Sequence, residues 1–62
     1  MKRREFIREL TKADCVLHRQ GKRHEIWRNP ANNHRTSVPR HAELRDTLCK
    51  EIRVQLGLEV PD

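Results

Sequence analysis

Sixty-two residues, 34% of them hydrophobic and only two aromatic (Phe6 and Trp27), hold material for one small domain spanning 1–62, with a thin aliphatic core. No apolar run reaches the roughly 18 residues that a membrane span needs, and the basic start Met1-Lys2-Arg3-Arg4 leads into no apolar signal segment. The expectation is therefore a cytoplasmic protein with no membrane partner. The formal net charge is +5. Residues 1–30 hold nine Lys/Arg against four acids, whereas residues 31–62 hold five against five. That asymmetry points to a polyanionic partner, nucleic acid first. A basic surface that only solvates a small protein is the plain alternative.

Residues 3–13 read as a helix, because Phe6, Ile7, Leu10 and Ala13 fall within one arc of about 120° at helical spacing. Arg4, Arg8 and Lys12 form a stripe nearly opposite. Three basic residues at the helix start have the wrong sign for its dipole and cost roughly 0.3–1 kcal/mol each. Either the end frays, or those charges have another use. Residues 15–20 (Cys-Val-Leu-His-Arg-Gln) read as a first strand, Gly21-Lys22 as a turn and His24–Arg28 as a second strand. Asn29-Pro30-Ala31-Asn32-Asn33 has loop composition. Arg35–Val38 makes a third strand, stopped by Pro39. Residues 42–56 read as a second helix with Leu44, Leu48, Cys49, Ile52 and Leu56 on one side, Gly57 as its left-handed terminator, and a tail over 58–62.

Short loops force consecutive strands to be antiparallel. The expected fold is α+β, in the order α-β-β-β-α. Two amphipathic helices cover one face of a three-stranded antiparallel sheet and leave the other open. That is the architecture of double-stranded-RNA-binding domains, which read shape and backbone.

Cys15-x-x-His18 is the one tight Cys/His pair, and no second pair follows at zinc-site spacing, so no metal and no other cofactor is expected. Cys15 and Cys49 read as small core hydrophobes rather than as a disulfide or a nucleophile. His24 differs in its setting. It follows Gly21-Lys22-Arg23, with Arg19 before the turn and Arg28 at the end of the strand. Cations there would hold a phosphodiester, and an imidazole can take the proton of a ribose 2′-hydroxyl near neutral pH. Spacing alone leaves open a solvated histidine at a strand end.

Met-Lys-Arg-Arg-Glu-Phe-Ile-Arg-Glu-Leu at the start, Arg-Gln-Gly-Lys-Arg-His-Glu-Ile-Trp-Arg-Asn-Pro at 19–30, and Ser37-Val38-Pro39-Arg40-His41 before a Leu-rich helix ending in Gly57 resemble the HicA family of small bacterial toxins. The resemblance runs over residues 1–58 and is most specific from Arg19 to Pro30. It implies the double-stranded-RNA-binding-like fold and an mRNA interferase, a ribosome-independent ribonuclease of a type II toxin–antitoxin system neutralised by a HicB-type antitoxin. The family's catalytic histidine follows a Gly-Ser pair, and the matching residue is His24. The Ser is replaced here, since Gly21-Lys22-Arg23 precedes it. The expected function is thus metal-independent cleavage of mRNA by His24 as general base or acid. Lys22, Arg23 and Arg28 are assigned as phosphate contacts from position alone. The alternatives are a non-catalytic RNA-binding module of the same fold and a partner-binding remnant. His18, His34 and His41 receive no role.

Overall fold

The computed structural model describes residues 1–59; Val60, Pro61 and Asp62, the end of the expected tail, lie outside the described residues. Helix α1 spans Arg3–Lys12, strands β1, β2 and β3 span Val16–Gln20, His24–Asn29 and His34–Pro39, and helix α2 spans Asp46–Gln55. The α-β-β-β-α order is as expected. The strands form one antiparallel sheet in the order β1-β2-β3, with the β2–β3 register running from His24 opposite Pro39 to Asn29 opposite His34. A β-bulge at His18 shifts the β1–β2 register between Leu17 and Arg19. No helix of the described residues is long and apolar enough to cross a membrane.

Alternation along β2 decides what faces the helices. Glu25, Trp27 and Asn29 are buried, and so are their β3 neighbours Val38 and Thr36. They close on Phe6 and Leu10 of α1 and on Cys49, Ile52 and Leu56 at α2, which together with Cys15 and Leu44 make the core. Every residue of β1 is exposed, because the helices cover β2 and β3 and leave the edge strand bare. Both thiols are free and buried, as core packing predicts. Burial pushes each of them above the ordinary thiol range, with Asp14 adding to it at Cys15.

The second helix starts four residues later than its apolar pattern suggests. Residues 42–44 are taken instead by backbone bonds to the chain start: Arg3 N–H to Ala42 C=O (2.9 Å) and Leu44 N–H to Met1 C=O (2.8 Å). Met1's ammonium returns the bond to Leu44 C=O at 2.9 Å. Leu44 therefore enters the core from an extended strap rather than from a helix face. Two further details differ from expectation. Leu48, expected on the apolar side with Ile52, sits at the margin of the core, half-buried, while its neighbour Cys49 is 1% exposed. The first strand begins at Val16 rather than Cys15, because Cys15 N–H is bonded to Leu10 C=O in closing α1 (3.0 Å).

Opposite charges fasten the helices together. Arg53 of α2 reaches Glu9 of α1 through Nε (2.6 Å) and Nη2 (2.8 Å), and its guanidinium lies 5.4 Å from the centre of the Phe6 ring. At the far end of α2, Gly57 adopts φ +71°, and Leu58 N–H closes on Arg53 C=O at 2.8 Å. The amides of Asn29 (2.8 Å) and Asn32 (3.0 Å) both donate to Leu56 C=O, so the β2–β3 loop caps the helix. A Cβ on Gly57 would collide with the Asn32 amide and face a left-handed backbone as well. Gly57→Ala is expected to cost about 1–3 kcal/mol, measured as a lower urea midpoint with an unchanged slope.

Candidate nucleic-acid interface

His24, Ile26 and Arg28 alternate with the buried residues of β2 and so point to the sheet face that no helix covers. The position of His24 is fixed by the hairpin. Gly21 N–H donates to His24 C=O (2.8 Å), and a Cβ on Gly21 would lie 2.9 Å from that same oxygen, so the close approach requires glycine. Lys22 and Arg23 are the two exposed residues at the tip.

Two shallow depressions meet at His24. One, of about 280 Å³, is formed by the hairpin from Arg19 to His24 together with Ile26. The other, of about 490 Å³, is lined by Arg23, His24, Arg40 and His41. Lys22 and Arg23 thus stand beside His24. Arg28 does not line either depression; it shares the open face about 13 Å along the strand, flanked by Val16 and Arg35 across the sheet. Arg35 Nη1 lies 3.5 Å from His18 Nε2, so Arg28, Arg35 and His18 make a second basic group. His34 is at the opposite end of β3, paired with Asn29 and remote from His24.

Sequence reasoning missed Arg40, His41 and Arg35. Dividing the chain at residue 30 placed them in a neutral half, although antiparallel pairing brings them back to the basic one. The register of a three-stranded meander was the available signal. With His24 opposite Pro39, Arg40 and His41 must emerge beside the hairpin tip.

Arg3 explains one of the three cations at the start of α1. Its Nε donates to Pro39 C=O (2.8 Å) and its Nη2 to Glu25 Oε1, tying the end of β3 to the start of β2 directly behind His24. Trp27 Nε1 donates to the same carboxylate oxygen at 3.2 Å. Burial alone would raise the Glu25 pKa, but the hydrogen bonds from Trp27 and Arg3 and the charges of Arg3 and Arg40 outweigh it and hold the group below its ordinary value. Glu9 is lowered too, chiefly by its hydrogen bond from Arg53 and against a smaller opposing effect of burial. Groups lowered in the folded state stabilise it fully above their unfolded pKa, and lose that contribution as pH falls toward the folded one. The contribution of these two carboxylates should therefore hold down to about pH 5 and fall away below about 4.3. Arg3→Met should weaken the acid-side drop, and a pH series of thermal unfolding curves measures both.

Among the described residues no three His, Cys, Asp or Glu side chains converge as a metal-holding group. Fold and face together define a small α+β domain of α-β-β-β-α order, with an open three-stranded sheet whose bare face is lined by cations. The model of the family described as HicA toxin of bacterial toxin–antitoxin matches residues 3–58, and the chain belongs to that family. It is the toxin component of a toxin–antitoxin system, and the family implies an antitoxin partner. No curated protein and no solved structure gives a match.

Proposed function

We propose that this toxin is a metal-independent endoribonuclease, an mRNA interferase acting in the cytoplasm, and that a HicB-type antitoxin restrains it. The observation that carries the reading is the exposed His24 where two cation-lined depressions meet. RNA brings its own nucleophile, the 2′-hydroxyl, so the protein has to supply proton transfer and charge stabilisation rather than an activated side chain. His24 moves the proton. Lys22 and Arg23 hold the scissile phosphate and offset charge on its oxygens, and Arg28 contacts a phosphate further along the strand. The open sheet face and hairpin suit a backbone-directed, shape-reading contact.

The test is direct. Purified protein incubated with a long single-stranded RNA should cut it in EDTA, since the mechanism uses no metal ligand, and induction in cells should arrest growth. Binding without cutting would instead establish a non-catalytic RNA-binding module, with Lys22-Arg23 serving affinity alone. Neither binding nor cutting would leave antitoxin binding as the remaining role. The antitoxin should present an acidic surface to the +5 chain, so the affinity of the complex should fall as salt rises. A flat salt response would argue against an electrostatic interface.

A further inference from the structure

The depression shared by His24 and His41 contains more chemistry than a single-histidine reading uses. Its lining is two imidazoles and two guanidiniums, from Arg23, His24, Arg40 and His41, all exposed, with no carboxylate among them. His41 reaches it from a strap anchored on both sides. Before it, Arg40 N–H donates to Arg23 C=O (3.1 Å), Arg40 Nη1 to Gly21 C=O (3.0 Å), and Pro39 C=O accepts from Arg3. After it, Ala42 C=O accepts from Arg3 N–H at 2.9 Å. Two histidines on separately anchored segments of chain therefore line one cationic hollow of about 490 Å³, room enough for a phosphodiester.

We propose that His41 is a second catalytic residue, and that His24 and His41 divide the proton transfers of RNA cleavage between them. The proposal rests on the nuclease reading above and adds the leaving-group half of the reaction. One imidazole, neutral, takes the proton from the ribose 2′-hydroxyl as O2′ forms its bond to phosphorus. The P–O5′ bond breaks with its electron pair going to O5′, and the other imidazole, protonated, gives that oxygen its proton. The products are a 2′,3′-cyclic phosphate and a 5′-hydroxyl, with no oxidant, metal or water consumed. Arg23 and Arg40 face the non-bridging oxygens and meet the charge that grows there. A lone base would leave an alkoxide to depart unprotonated, which is the costly half of the step. Cations crowd the pair. Arg23 and Arg40 face both rings, Arg19 and Lys22 line the hollow on the His24 side, and the neighbouring hollow on the far side of Ala42 holds Lys2, Arg4 and Glu43. Glu25 lies on the opposite sheet face, engaged by Arg3.

The experiment is single-turnover cleavage of a short RNA across pH 5–9 with wild type, His24→Gln and His41→Gln, repeated with a substrate whose scissile 5′-oxygen is replaced by sulfur. Sulfur leaves without protonation. Wild type should give a bell-shaped profile, because one group must be neutral and the other charged. His41→Gln should lose roughly 10²–10⁴-fold in rate and one limb of the bell, while its RNA affinity and unfolding curve stay near those of wild type. The sulfur substrate should rescue whichever variant lacks the acid and leave the other slow. A His41→Gln rate within about threefold of wild type, a wild-type profile with a single limb, or rescue of both variants alike would overturn the assignment while the nuclease reading stands. Wild type that cuts neither substrate overturns both.

Discussion

His24→Ala should slow RNA cleavage by about 10²–10⁴-fold, the usual contribution of a positioned acid or base, and should abolish growth arrest on induction. The fold should not notice. The side chain is exposed, and the bonds that build the hairpin use the backbone of residue 24 rather than its ring: Gly21 N–H to His24 C=O at 2.8 Å and the pairing with Pro39. Circular dichroism, thermal unfolding and antitoxin affinity should therefore match wild type. Lys22→Ala and Arg23→Ala should behave differently. On the proposed reading each would remove one phosphate contact, so affinity should drop and the slope of log affinity against log salt become shallower by about 1. If His24→Ala cuts at the wild-type rate, the proton is moved by another group and the mechanism fails. If the lysine and arginine variants lose rate but no affinity, those cations act on the transition state rather than on binding.

The expected order of elements was legible because each has its own period. Phe6, Ile7 and Leu10 repeat at helical spacing, and Gly21 and Asn29-Pro30 mark the two turns. Leu44 misled for a physical reason. It is apolar and buried at a position helical spacing would favour, yet its backbone bonds to Met1, 43 positions away, a contact that no local pattern reveals. The candidate site was half legible. Lys22, Arg23 and His24 are adjacent in sequence, so their clustering needed only a turn. Arg40 and His41 join them only through the register of β3, and Arg3 only through the packing of α1 behind the sheet. The three basic residues at the start of α1 broke a local electrostatic rule. One of them, Arg3, sits where the fold uses it, against Glu25 and Pro39, whereas Arg4 remains exposed.

Phe6→Ala should be the most destabilising substitution in the chain, at about 3–5 kcal/mol. Phe6 is 0% exposed and sits in the one core that α1, α2 and the sheet share. Truncation would leave a void where the ring was and remove the surface over which Arg53 lies, 5.4 Å from the ring centre. Arg53 would keep its bonds to Glu9, so the charge remains paired and the loss is chiefly one of packing. A domain this small has a total stability near the low end of the usual 5–15 kcal/mol, and each kcal/mol shifts the midpoint by about 4–8 °C. The variant should accordingly melt tens of degrees lower or fail to fold at 37 °C. Leu48→Ala is the internal comparison. Helical spacing alone ranks Leu48 with Ile52, but Leu48 is half-buried at the core margin while Ile52 is 1% exposed. Leu48→Ala should cost well under Ile52→Ala, which belongs in the range of about 2–5 kcal/mol. Urea denaturation of the three variants orders them. Equal losses for Leu48 and Ile52 would mean that α2 is rotated from the face described, and a mild Phe6→Ala would mean that the core collapses readily around the gap.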